Sequence, residues 1–182
     1  MRIIIAITGA SGINLGKRLL EELKEHETHL IITPDAEKVA GFENVNLQET
    51  KSNAKSCHKN NDFTSPIASS SFLVDAMIII PCSMKTLSGI ANGYTDSLVT
   101  RSADNMLKMN KPLILVPRET PLSLPAIENM AKAKRAGAII LPAMLSYYNQ
   151  PETVADITDF IVGKTLDVLG VENKLYKRWS GK

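Results

Sequence analysis

Aromatic side chains are scarce: four Phe, four Tyr and one Trp make up 5% of the 182 residues. The core must therefore be aliphatic, built from Ile, Leu, Val, Met and Ala. There are only two cysteines, Cys57 and Cys82, and no CxxC pair. That usage fits a reducing cytoplasm rather than a disulfide scaffold. A chain of this size buries roughly 70% of its unfolded surface and needs no disulfide or metal staple. No apolar run reaches the ~18 residues of a membrane span. The opening residues lack the charged region, apolar core and cleavage site of a signal peptide. Charge of neither sign dominates: the net value is +2, which argues against nucleic acid as partner. One basic cluster, Lys174, Lys177, Arg178 and Lys182 in KLYKRWSGK, reads as a solvated, partly frayed tail.

What remains is a single α/β domain over residues 1–182. Arg2 to Ile7 reads as a strand buried on both faces, because it is short, continuous and β-branched. Similar runs mark strands at 28–33, 76–81, 111–117 and 138–142. Helical spacing predicts helices over 11–25, 83–92, 96–109, 125–136 and 152–169, the last with Val154, Ile157, Ile161, Leu166 and Leu169 inward. The alternation implies a three-layer, Rossmann-like α/β fold: a mostly parallel sheet with helices on both faces. Residues 42–70 are polar and read as a long loop excursion with a short strand near 44–47. There Cys57 and His58 read as surface residues pointing apart.

In such sheets ligands bind beyond the carboxyl ends of the strands. The tips are Thr8–Gly12, Thr33–Asp35, Pro81–Thr86, Pro117–Pro121 and Pro142–Tyr148, and they are expected to converge. The first, ITGASG, has the chemistry of a phosphate-binding turn. Glycine lets backbone approach a ligand closely, and the following helix offers free N–H groups to an anion. A nicotinamide fingerprint is excluded, because Gly9, Gly12 and Gly16 do not follow its spacing. A short-chain dehydrogenase also needs Tyr-x-x-x-Lys. Tyr94, Tyr147, Tyr148 and Tyr176 are followed at that spacing by Leu98, Pro151, Glu152 and Ser180.

The third tip, PCSMKT, puts Ser83 and Thr86 at a helix start, where hydroxyls cap N–H groups. This segment, with ITGASG, the TRSAD stretch, RETPL, SYYNQP and the closing VGKTLDVLG, resembles the flavin prenyltransferase family, the UbiX/Pad enzymes formerly described as aromatic acid decarboxylases. The resemblance runs from residue 7 to 170, leaving out the polar stretch 42–65. It implies an enzyme that needs no metal and moves a dimethylallyl group from dimethylallyl phosphate to N5 and C6 of reduced FMN. The product serves a partner UbiD-type decarboxylase. Family members assemble as trimers and dodecamers with sites at subunit interfaces. The three histidines, His26, His29 and His58, show no metal-ligand spacing.

By that resemblance Gly9, Ala10, Ser11 and Thr33 hold FMN, together with Ser83, Met84, Lys85 and Thr86. Arg101 matches the family arginine that helps bind FMN, and a forked guanidinium suits a phosphate. Breaking an allylic C–O bond puts charge on the departing phosphate, which fixed cations stabilise. Lys108, Arg118, Tyr148 and Lys164 stand at the matching positions, Lys164 where arginine is common. Glu119, with Ser11, is the expected catalytic group, as acid and base.

Two rival readings stand beside it, the first again a resemblance, carried by the PxSxxT turn and the IANG segment. FMN-dependent cysteine decarboxylases share the PxSxxT turn but read PASANT there and need a catalytic histidine after an early strand. A non-catalytic FMN-binding subunit would bind FMN and no prenyl donor.

Overall fold

The computed structural model describes residues 1–181, so that Lys182 of the basic cluster lies outside the described residues. The strands are β1 (Arg2–Ile7), β2 (Glu27–Ile32), β3 (Ser56–Lys59), β4 (Ala76–Cys82), β5 (Leu113–Pro117) and β6 (Ile139–Ile140). All pair in parallel, in the order β3-β2-β1-β4-β5-β6. The helices are α1 (Ile13–Glu22), α2 (Pro34–Phe42), α3 (Leu47–Ser52), α4 (Met84–Ala91), α5 (Leu98–Lys108), α6 (Leu124–Arg135) and α7 (Val154–Leu169). None is long and apolar enough to cross a membrane.

The apolar strands are continuous because each face meets its own layer of helices. Ile3, Ile5 and Ile7 of β1, with Ile78 and Ile80 of β4, pack against α1 and α7. Ile4 and Ala6, with Met77 and Ile79, pack against α4 and α5. Each fully buried isoleucine stabilises the fold by about 1.5–3 kcal/mol. Strand order reverses direction between β1 and β4, which creates a crevice beyond their carboxyl ends.

Several elements depart from the sequence reading. Pro34 and Asp35 end β2, but they also begin α2: Thr33 caps it through the Ala36 N–H, and proline is tolerated in the first turn. The excursion at 42–70 is structured, holding α3, β3 and a 3-10 turn at Pro66–Ala68. There is no strand at 44–47; β3 lies at 56–59 instead and pairs with β2. Cys57 is exposed, whereas His58 is half-buried and lies 3.0 Å from the buried His29 of β2. Val154 is 78% exposed at the start of α7 rather than inward.

The tail is docked rather than frayed. Tyr176 donates to Asp167, and Arg178 donates to both Asp167 oxygens at 2.6 and 2.9 Å. The Tyr176 ring lies where a Cβ on Gly163 would stand, 2.5 Å from it.

Candidate functional site

Four of the five strand tips meet in one cleft of 910 Å³ lined by Gly9, Thr33, Asp35, Ser83–Thr86 and Glu119, among others. That volume suits a ligand of nucleotide size. The fifth tip, Pro142–Tyr148, does not line it.

Two turns form the floor. Thr8, fully buried, joins them: its hydroxyl donates to the Pro81 carbonyl and accepts the Ser83 N–H, both at 2.8 Å. Gly9 must be glycine, because a Cβ there would sit 2.6 Å from the Asp35 Cβ. Gly12 adopts φ 103°, which a side chain would strain. The next two donors are already taken: Glu43 accepts the Gly12 and Ile13 N–H groups at 2.8 and 2.9 Å. At the opening turn, then, a carboxylate of the chain itself takes two of the N–H groups that a bound anion would use.

The α4 turn is open by contrast. Ser83 caps α4 through the Thr86 N–H and also bonds the Thr86 hydroxyl at 3.1 Å. The Met84 and Lys85 N–H groups have no partner among the described residues. Two free N–H groups, two hydroxyls and the exposed Lys85 at a helix start make a donor set fit for a phosphate. This is the observation on which an FMN fits the cleft.

Cys82 sits beneath this turn, fully buried, and burial pushes its thiol up to about 12. It is therefore a neutral packing residue. Glu119 is exposed on the cleft wall, one oxygen accepting the Thr120 N–H at 2.9 Å.

The remaining expected residues lie outside the lining. Ala10 and Ser11 complete the opening turn, and Ala10 N–H bonds the Thr8 carbonyl. Arg101, half-buried, donates through Nε to the Ala68 carbonyl at 3.1 Å. Lys108 pairs with Asp104 at 3.6 Å at the far end of α5, about 15 Å along the helix from its start. Arg118 is exposed beside Glu119. Tyr148 meets Phe160 and Trp179 edge-on, and Lys164 lies 5.9 Å over the Tyr176 ring. No three His, Cys, Asp or Glu side chains among the described residues are grouped to hold a metal.

Glu43 and Asn60 were missed in the sequence. Both act through one side chain on a distant backbone, with no local pattern to mark them.

The family described as Flavoprotein matches residues 1–166. Flavin prenyltransferase UbiX of Methanocaldococcus jannaschii is 48% identical over 181 residues, covering 98% of each chain. The solved structure of AnUbiX (PadA1) in complex with FMN and dimethylallyl pyrophosphate superposes with a TM-score of 0.97 at 40% identity, over 100% of this chain and 98% of that one. A dodecameric FMN-dependent UbiX-like decarboxylase from Escherichia coli O157:H7 gives 0.96 at 43%, over the whole of both chains. An FMN-dependent cysteine decarboxylase from thioviridamide biosynthesis shares the fold alone, at 19% identity and a TM-score of 0.62 over 77% of this chain and 88% of that one. With the open α4 turn, the buried Thr8 joint and whole-length relatives above 40% identity, this chain belongs to the flavoprotein family and, within it, to the flavin prenyltransferases of the UbiX group.

Proposed function

We propose that this chain transfers a dimethylallyl group from dimethylallyl phosphate to reduced FMN, making a prenylated flavin for a UbiD-type decarboxylase in the cytoplasm. The cleft between the Gly9 and Ser83–Thr86 turns, with Glu119 on its wall, carries this reading.

Reduced FMN, when bound, supplies the nucleophilic N5 and C6 atoms. Ser83, Met84, Lys85 and Thr86 hold its phosphate through free N–H groups and hydroxyls. Gly9 and Thr33, which line the cleft, with Ala10 and Ser11 completing the opening turn, would hold the rest of the flavin, and Arg101 would add a cation from α5.

The donor reacts by breaking its allylic C–O bond, and the electron pair leaves on the phosphate. Lys108, Arg118, Tyr148 and Lys164 receive that charge. Lys108, Tyr148 and Lys164 lie away from the cleft of their own chain, so we assign them to the clefts of neighbouring copies in a trimer-based dodecamer. The dodecameric relative supports this arrangement. Glu119 on the cleft wall would serve as the acid and base of the site, taking the proton that the flavin gives up as the new ring closes, and Ser11 is the second residue assigned to catalysis.

A cysteine decarboxylase is disfavoured because no histidine lines the cleft among the described residues. The test is phosphate release from dimethylallyl phosphate. It should require reduced FMN and stop in its absence; release independent of FMN contradicts the reading.

A further inference from the structure

Asn60 follows the edge strand β3 and lines the cleft. Its position is set twice over. The β3 ladder pairs His29 with Ser56 through Ile32 with Lys59. Behind the ladder, His58 lies 3.0 Å from His29 Nδ1, and Ser65 Oγ lies 2.8 Å from His58 Nδ1. These side-chain bonds tie the polar strand to β2 on one side and to Ser65 on the other.

From that position Asn60 clamps the start of α5. Its carbonyl accepts the Leu98 N–H at 2.7 Å, and its side-chain Oδ1 accepts the Val99 N–H at 3.2 Å. Ser97 takes the next N–H, that of Thr100. The orientation of the Asn60 amide follows, since a backbone N–H can be met only by the oxygen. Nδ2 is left as the opposite end of the group, with no partner among the described residues. It is a fixed donor on a residue that borders the cleft beside Thr33 and Ser97.

We propose that Asn60 is a flavin-binding and positioning residue. Its amide N–H groups donate to an oxygen acceptor of FMN, and its oxygen holds the α5 start that carries Arg101. Aspartate at this position keeps the oxygen for Val99 and loses the donor. Alanine loses both without adding charge.

The experiment measures FMN affinity by flavin fluorescence quenching and the melting temperature of each variant, using the full chain. Asn60→Asp should melt with the wild type and bind FMN about tenfold more weakly. Asn60→Ala should lose at least as much affinity and also melt earlier. A purely structural role moves the melting temperature and leaves affinity of the folded variant unchanged, which overturns the proposal. Weakening by Asn60→Asp alone indicates charge repulsion and overturns it too. Should Asn60→Asp fail to fold, Asn60→Ala at low temperature decides: unchanged affinity overturns the proposal. The inference rests on the flavin reading of the cleft. A wild-type chain that does not bind FMN defeats that reading itself, whereas equal binding by wild type and variants defeats the role of Asn60 alone.

Discussion

The Thr8 hydroxyl accepts the Ser83 N–H at 2.8 Å, which joins the tip of β1 to the capping residue of α4 across the sheet crossover point. The joint holds the ligand-facing turns in register. Replacing Thr8 with valine keeps the shape and leaves the half-buried Ser83 N–H unpaired. The expected loss is about 1–3 kcal/mol, lowering Tm by roughly 2–10 °C. FMN affinity should fall with it, and Thr8→Ser should recover both. A melt of Thr8→Val that overlays the wild type would remove the joint from the account.

The Glu43 carboxylate closes the start of α1 by taking the Gly12 and Ile13 N–H groups. Glu43→Ala should cost about 1 kcal/mol, the scale of a lost helix cap. Because the two donors are then free, sulfate should restore part of the loss. Calorimetric melts with and without sulfate check both statements; an unchanged Tm contradicts them.

The tail contributes to the pH dependence at both ends of the range. Partial burial would raise the Asp167 carboxyl, but hydrogen bonds from Arg178, Tyr176 and Asn173 outweigh it and hold the group below its ordinary 3.8. Its contribution is present above that value and is lost as pH falls through the lower folded value. Burial first, then the bond to Asp167, pushes the Tyr176 phenol up to about 12 from 10.0. Its contribution is complete below 10.0 and disappears as pH rises through about 12. Trp179, the single tryptophan, meets Tyr148 at 5.7 Å and reports on this segment. Acrylamide quenching should be flat between the two limits and rise beyond each. Asp167→Asn should quench more at neutral pH; equal quenching would show the tail held by other contacts.

Glu119→Gln tests the proton-transfer role. The side chain keeps its shape at the cleft wall and loses the ability to take a proton. FMN should remain bound at wild-type affinity, while prenylated product falls by at least about 10²-fold. Undiminished turnover would move the acid and base role to another residue.

The buried strands were legible because two covered faces leave a continuous β-branched run, as in Ala76–Cys82. The ligand turns were legible because Gly9, Gly12 and the Ser83 cap answer local geometric demands. The helix at Pro34–Phe42 was not, since the Pro34-Asp35 pair that stops a strand also starts a helix. Strand β3 escaped because it is polar, and its partners His29 and Ser65 come from other elements. The docked tail escaped for the same reason: Asp167 and Gly163 give no sign in sequence that Tyr176 will cover them.

The central claim is group transfer to the flavin. Protein mixed anaerobically with reduced FMN and dimethylallyl phosphate, or the diphosphate in parallel, should yield an extracted flavin heavier by one prenyl unit in the mass spectrum. Unmodified FMN with both donors, retained by folded protein, would contradict it and leave a flavin-binding chain without transferase activity.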